Sequence, residues 1–127
     1  MSDPTDLLIR LHRACRLAWA ENDAGLSHSE FDYLDVIHRE VERQRFADDH
    51  GRHLGDIVDG IGVTRASASA MIGKLETRGL VQRFQCRQDA RAQHIALTEE
   101  GRRRLDAGRA LYREVAGRFG LEQGQTE

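Results

Sequence analysis

Leu7, Leu11, Ala14 and Ala18 fall on one helical face and Leu8, Cys15 and Trp19 on the adjacent one, so residues 5–21 predict a helix with a wide apolar surface. A second helix opens on a stronger signal: Ser27 and Glu30 have the spacing of a capping box, and Leu26 can staple onto Phe31 across it. Its inner stripe is Phe31, Leu34, Ile37, His38 and Val41. Residues 46–52, FADDHGR, have no period and read as a loop. Leu54, Ile57, Val58 and Ile61 mark a short helix, Gly60 and Gly62 a tight turn, and Thr64 the N-cap of a further helix whose core positions are Ala68, Met71, Ile72 and Leu75. Gly79 stands where a left-handed stop belongs. Two strand-like runs, residues 80–85 and 93–97, enclose a polar tip made of Cys86, Arg87, Gln88, Asp89, Ala90 and Arg91. Leu105, Gly108, Leu111, Tyr112, Val115 and Phe119 then recur at steps of three and four in a last helix over residues 98–120.

Helix, turn, capped helix and β-ribbon without a gap make a winged helix-turn-helix, a mainly α (α+β) fold with flanking N- and C-terminal helices. The expected organisation is one domain over residues 1–127, with a DNA-reading core at 27–97 and dimerisation helices at 5–21 and 98–120. The seam between those helices is expected to use Leu7, Leu11, Cys15 and Trp19 against Leu105, Leu111, Tyr112, Val115 and Phe119. Gly108 and Gly117 weaken the last helix, which leaves open whether the seam closes on a second subunit or on its own chain.

On the capped helix, the face opposite the core positions carries Ala66, Ser69, Ala70 and Gly73, all small. A solvated helix face normally carries long charged residues, and an interior Gly costs roughly 1 kcal/mol against Ala, so this face is shaped for close approach to another surface. The major groove of double-stranded DNA is the natural occupant. Ser67 and Ser69 can meet base edges or phosphates, Thr64 and Arg65 sit at the positive end of the helix dipole, and Lys74 can reach the backbone. Arg83, Arg87 and Arg91 make the ribbon basic enough to follow a phosphate backbone or enter a minor groove.

Charge supports this once it is divided along the chain. The whole sequence is −2, but residues 52–104 hold ten Arg or Lys against six acids, +4, leaving −6 on the rest. The basic middle suits phosphates. A hydrophobic fraction of 39% is low for a chain that must close its own core, which also favours a partner subunit.

From Val63 to Leu80 (VTRASASAMIGKLETRGL), through Val81, Gln82 and Arg83, the wing Asp89, Ala90 and Arg91, and the run Leu97, Thr98, Glu99, Glu100 and Gly101, the chain resembles the multiple-antibiotic-resistance regulator (MarR) family of bacterial transcription factors. The resemblance implies a homodimer that binds a pseudo-palindromic operator, with recognition helices in successive major grooves. It also implies that Arg91 enters the flanking minor groove and that Asp89 orients it. By the same resemblance a small-molecule effector can occupy the cleft between dimer helices and wing domains. Two departures stand out: Ala70 replaces an arginine common among relatives, and one C-terminal helix stands where relatives usually have two.

Other chemistries find little support. There is no nucleophile elbow, Walker loop or metal-ligand cluster, so no catalytic residue, metal or cofactor is expected. His38, His50 and His53 read as solvated side chains. Cys15 reads as a packed thiol rather than a peroxide sensor, because Tyr33 is the only tyrosine near it in sequence, and Cys86 as incidental. No signal peptide or membrane span is present, so a cytoplasmic protein is expected. The alternative function is a winged-helix protein-interaction or DNA-partitioning module without a transcriptional role.

Overall fold

The computed structural model describes residues 3–22, 24–45, 61–85 and 93–121. Among them the order is α1 (Pro4–Ala20), α2 (His28–Arg45), α3 (Arg65–Thr77), β1 (Val81–Gln85), β2 (Gln93–Leu97) and α4 (Glu99–Arg118). This is the mainly helical winged-helix architecture that the hydrophobic pattern predicts. Of the short helix expected before α3 only Ile61 is described; Leu54, Ile57, Val58, Gly60 and the wing tip 86–92 lie outside the described residues.

Each helix begins where a side chain can satisfy orphan backbone N–H groups. Asp3 accepts from Thr5 N at 3.2 Å and Pro4 occupies the first turn of α1. At α2 the capping box closes reciprocally: Ser27 N donates to Glu30 Oε1 at 2.8 Å and Glu30 N donates to Ser27 Oγ at 3.1 Å. Leu26 and Phe31 are both buried beside it. Thr64 caps α3 by accepting from Ser67 N at 3.1 Å. That helix stops as Gly79 turns to φ +75°, with Gly79 N bonded to Glu76 O and Leu80 N to Leu75 O.

The start of α4 is locked onto the end of α3. Thr98 follows β2 directly, and its backbone N donates to Leu80 O at 3.0 Å while its hydroxyl donates to Gly79 O at 2.6 Å. The same hydroxyl accepts from Gly101 N at 3.0 Å. Gly101 is required by space, because a Cβ there would run into the Leu80 carbonyl oxygen and lie 3.0 Å from the Leu80 carbonyl carbon. Between the two helices β1 and β2 pair antiparallel, Val81 opposite Leu97 and Arg83 opposite Ile95. Val81 and Ile95 face the core; Phe84 stays half exposed, stacked on His94.

Leu34, Ile37, Ile72, Leu75, Leu80, Leu105 and Val115 are fully buried and join α2, α3 and α4. α1 closes the other side through Trp19, whose ring lies 5.3 Å from Phe31 and 5.9 Å from Tyr112. Gly108 admits that cluster: a Cβ there would strike the Phe31 ring and lie 3.2 Å from Trp19 Cη2. The glycine that weakens α4 in isolation is therefore the one that lets α1 and α2 approach it. For Trp19, Leu105 and Val115 the seam closes on the chain itself, and Leu111 and Tyr112 pack against the same core. Leu7, Leu11, Cys15 and Phe119 are half-buried, with the Arg10 guanidinium 5.3 Å over the Phe119 ring. The apolar side chains left in solvent are others: Leu8 (68% exposed), Ile9, Leu17 (51%) and Leu121.

One buried carboxylate ties the layers together. Glu30 is 4% exposed. While Oε1 serves the cap, Oε2 accepts from Arg78 Nη1 at 2.6 Å and lies 3.4 Å from Lys74 Nζ. Arg78 and Arg104 both donate to the Gly25 carbonyl, at 2.8 and 2.9 Å, and Arg104 returns to Glu100 at 2.7 Å. Burial pushes the Glu30 carboxyl up, but the Arg78 and Ser27 hydrogen bonds and the charges of Arg78 and Lys74 outweigh it and hold the pKa down at about 2.

Gly101→Ala should lower stability in urea unfolding by at least about 2 kcal/mol, because backbone must move. Gly117→Ala in the same helix, with nothing within 4 Å of its Cβ, should raise it by about 0.5–1 kcal/mol. Because the folded-state pKa of Glu30 lies below its ordinary value of 4.5, its contribution is present above pH 4.5 and lost as pH falls toward 2. Acid titration of stability should show a loss on the order of 3 kcal/mol over that window. Glu30→Gln should remove that share of the pH dependence.

Candidate nucleic-acid interface

The surface in question is the outer side of α3. Ala68, Ile72 and Leu75 are buried and Met71 packs against the core, so the helix presents Ala66, Ser69, Ala70 and Gly73 outward. The first three are exposed, and nothing lies within 4 Å of a Cβ built on Gly73. This small-residue face is open surface among the described residues, not a contact with the rest of the chain. Its leading end is polar: the Thr64 hydroxyl donates to Ser67 Oγ at 3.0 Å and accepts from Ser67 N, while Arg65 and Ser69 stand exposed with no bonded partner among the described residues. Free N–H groups and the dipole at that end favour an anion.

The trailing end is different. Lys74, expected to reach for phosphate, is ion-paired with Glu30, and Arg83 Nε donates to Glu76 Oε1 at 3.2 Å. Both cations are thus already engaged within the chain. Arg87, Asp89 and Arg91 lie outside the described residues, as do Cys86, His50 and His53.

Sequence reasoning missed three residues here. Glu30 has a visible role in the capping box, but nothing in the sequence shows that its second oxygen faces Arg78 and Lys74, 48 and 44 positions away. Arg78 reads as an unremarkable helix-end cation. Tyr112 is placed on the seam by its spacing, yet its hydroxyl lies 2.8 Å from His28 Nε2. Burial pushes that phenol above its ordinary value, against a lowering contact with Trp19.

The sequence model of the MarR family matches residues 24–92, more than half of the chain. The chain belongs to the MarR family. Members are transcription regulators, not enzymes. No curated protein matches the chain. Among solved structures, it is similar to CouR from Rhodococcus jostii bound to p-coumaroyl-CoA, at 24% identity and TM-score 0.65 over 91% of this chain and 73% of that one. A point mutant of S. aureus MepR bound to an oligodeoxyribonucleotide matches at 17% identity and TM-score 0.68 over 98% and 87%. BpsR of Bordetella bronchiseptica, solved in a study of how 6-hydroxynicotinic acid regulates its DNA binding, matches at 20% and 0.60 over 94% and 86%. At these identities the likeness is one of fold. No helix among the described residues is long and apolar enough to cross a membrane.

The open face of α3 has a stability signature of its own. Gly73→Ala should raise the unfolding free energy by about 0.5–1 kcal/mol, and Ala70→Leu should leave it within about 0.5 kcal/mol. Thermal or urea unfolding reads both. A loss above ~2 kcal/mol in either would mean that this face is packed.

Proposed function

We propose that this MarR-family protein is a homodimeric transcription regulator of the bacterial cytoplasm, a repressor that binds a pseudo-palindromic double-stranded operator and is released by a small ligand. The observation that carries the reading is the outward face of α3, where Ala66, Ser69, Ala70 and Gly73 stand clear of the protein behind a capped N-terminus bearing Thr64, Arg65 and Ser67. A helix so trimmed can sink into a major groove and bring backbone and short hydroxyls to base edges. Arg87, Asp89 and Arg91 of the ribbon tip extend the contact, Arg91 into the minor groove. The family membership and the DNA-bound MepR structure support the DNA partner. CouR with its coenzyme A thioester and BpsR with its hydroxynicotinate support a small ligand as the releasing signal.

Residues 27–97 are the DNA-reading part in this proposal and α1 and α4 the dimerising part. Because Trp19, Leu105 and Val115 are consumed inside the chain, the surface left for a second subunit is the exposed apolar set Leu8, Ile9, Leu17 and Leu121, with half-buried Leu7, Leu11 and Phe119 beside it. A two-fold axis through that surface presents both α3 helices to one side of DNA, with half-sites about one helical turn apart.

Selection of bound sequences from random DNA by the purified protein should return one inverted repeat, and sedimentation should give a dimer. Ala70→Leu and Gly73→Leu should each lose about a hundredfold in operator affinity without loss of fold, because an added apolar side chain that cannot bond to a base edge crowds the groove floor. Normal operator affinity in both Leu variants would assign the wrong face of α3, and enrichment of no sequence would favour a protein-interaction role for the winged helix.

A further inference from the structure

A capping box needs one acceptor, and Gln serves there as well as Glu. Glu30 has a charge that the cap does not use. Its Oε1 takes the Ser27 N–H, and its Oε2, with the negative charge, is turned onto Arg78 and Lys74 at the trailing end of α3. On α3 itself a second, exposed acid, Glu76, holds Arg83 of β1. Of the cations at residues 65–85, Arg65 at the leading end is the one with no acid partner among the described residues; Lys74, Arg78 and Arg83 are all paired.

This arrangement bears on discrimination, given the regulator reading above. Each lysine or arginine that meets a phosphate strengthens binding to every DNA sequence alike, so it raises affinity without raising the ratio of operator to random DNA. We propose that Glu30 is a specificity-determining positioning residue: it withdraws Lys74 and Arg78 from the DNA backbone, so that the short side chains of the α3 face decide which sequence is bound. The carboxylate suits the task because the Arg78 hydrogen bond and the Lys74 charge hold it ionised against its burial. Lys74 is 59% exposed, so it is free to swing to a phosphate as soon as its acid is removed.

The test compares Lys74→Ala, Glu30→Gln and the double variant, first without DNA by thermal unfolding, then against the selected operator and random duplex over a salt series. Lys74→Ala in the otherwise unaltered protein should leave the slope of log Kd against log salt unchanged within a few tenths. Glu30→Gln should steepen it by about two to four units, because each cation is present twice in the dimer, and tighten random-duplex binding by about tenfold or more, lowering the operator-to-random ratio. Adding Lys74→Ala to Glu30→Gln should take back about two units of slope, one for each subunit, and the two changes should be non-additive in thermal unfolding because they share one contact. A slope reduced by about two units in Lys74→Ala alone would show that Lys74 already meets phosphate in both subunits and would overturn the inference, as would strict additivity in the unfolding cycle. Those failures leave operator binding intact. Absence of DNA binding by the unaltered protein is a different result, and overturns the regulator reading together with this one.

Discussion

The Glu30 carboxylate is the constraint on which the arrangement of helices depends. Burying a charge is costly unless it is paired and hydrogen-bonded, and here every demand is met from a different part of the chain: the α2 cap through Ser27, the α3 terminus through Arg78, the α3 flank through Lys74. Arg78 in turn shares the Gly25 carbonyl with Arg104 of α4. Three segments that are distant in sequence, residues 25–30, residues 74–78 and Arg104, are therefore held in one register by geometry that tolerates little displacement. Hydrophobic burial supplies most of the stability of such a fold, but Leu and Ile contacts are non-directional and leave helices free to slide. The polar hub specifies where α3 stops relative to α2.

A second lock acts along the chain. Thr98 bonds to Gly79 and Leu80 on one side and to Gly101 on the other, so the end of α3 and the start of α4 are joined across the base of the ribbon. The β1–β2 hairpin is a loop closed at its root by that residue. This explains in physical terms why Leu97, Thr98 and Gly101 belong together: the threonine has a hydroxyl that donates and accepts at once, and the glycine leaves room for the Leu80 carbonyl. With the C-terminal end of α3 held by both locks, its small-residue face is set in one orientation, which is what a helix needs if its own backbone is to approach another molecule.

The seam between α1 and α4 shows how one apolar pattern can serve two purposes. Trp19, Phe31 and Tyr112 pack around Gly108 and close the chain on itself, while Leu8, Ile9 and Leu17 on the neighbouring face of α1 remain in solvent. α1 thus buries one stripe in its own chain and carries exposed apolar side chains among Arg13 and Arg16 on the rest of its surface.

Much of this was legible in the residues. The capping box of Ser27 and Glu30, the Thr64 cap, the Gly79 stop, the two strands and the core stripe of α3 follow from local rules, because caps, turns and periodicity are decided by neighbours within four positions. The same locality revealed the small face of α3 and the family to which the chain belongs. What lay beyond reach was every choice between partners far apart in sequence. Spacing put Lys74 and Arg83 on a basic surface without showing that Glu30 and Glu76 stand within reach, and it put Trp19, Leu105 and Val115 on a seam without showing which side of each helix the chain would cover first. Periodicity determines which residues share a face; which face meets which, and which acid meets which base, depends on distances that only the folded backbone sets.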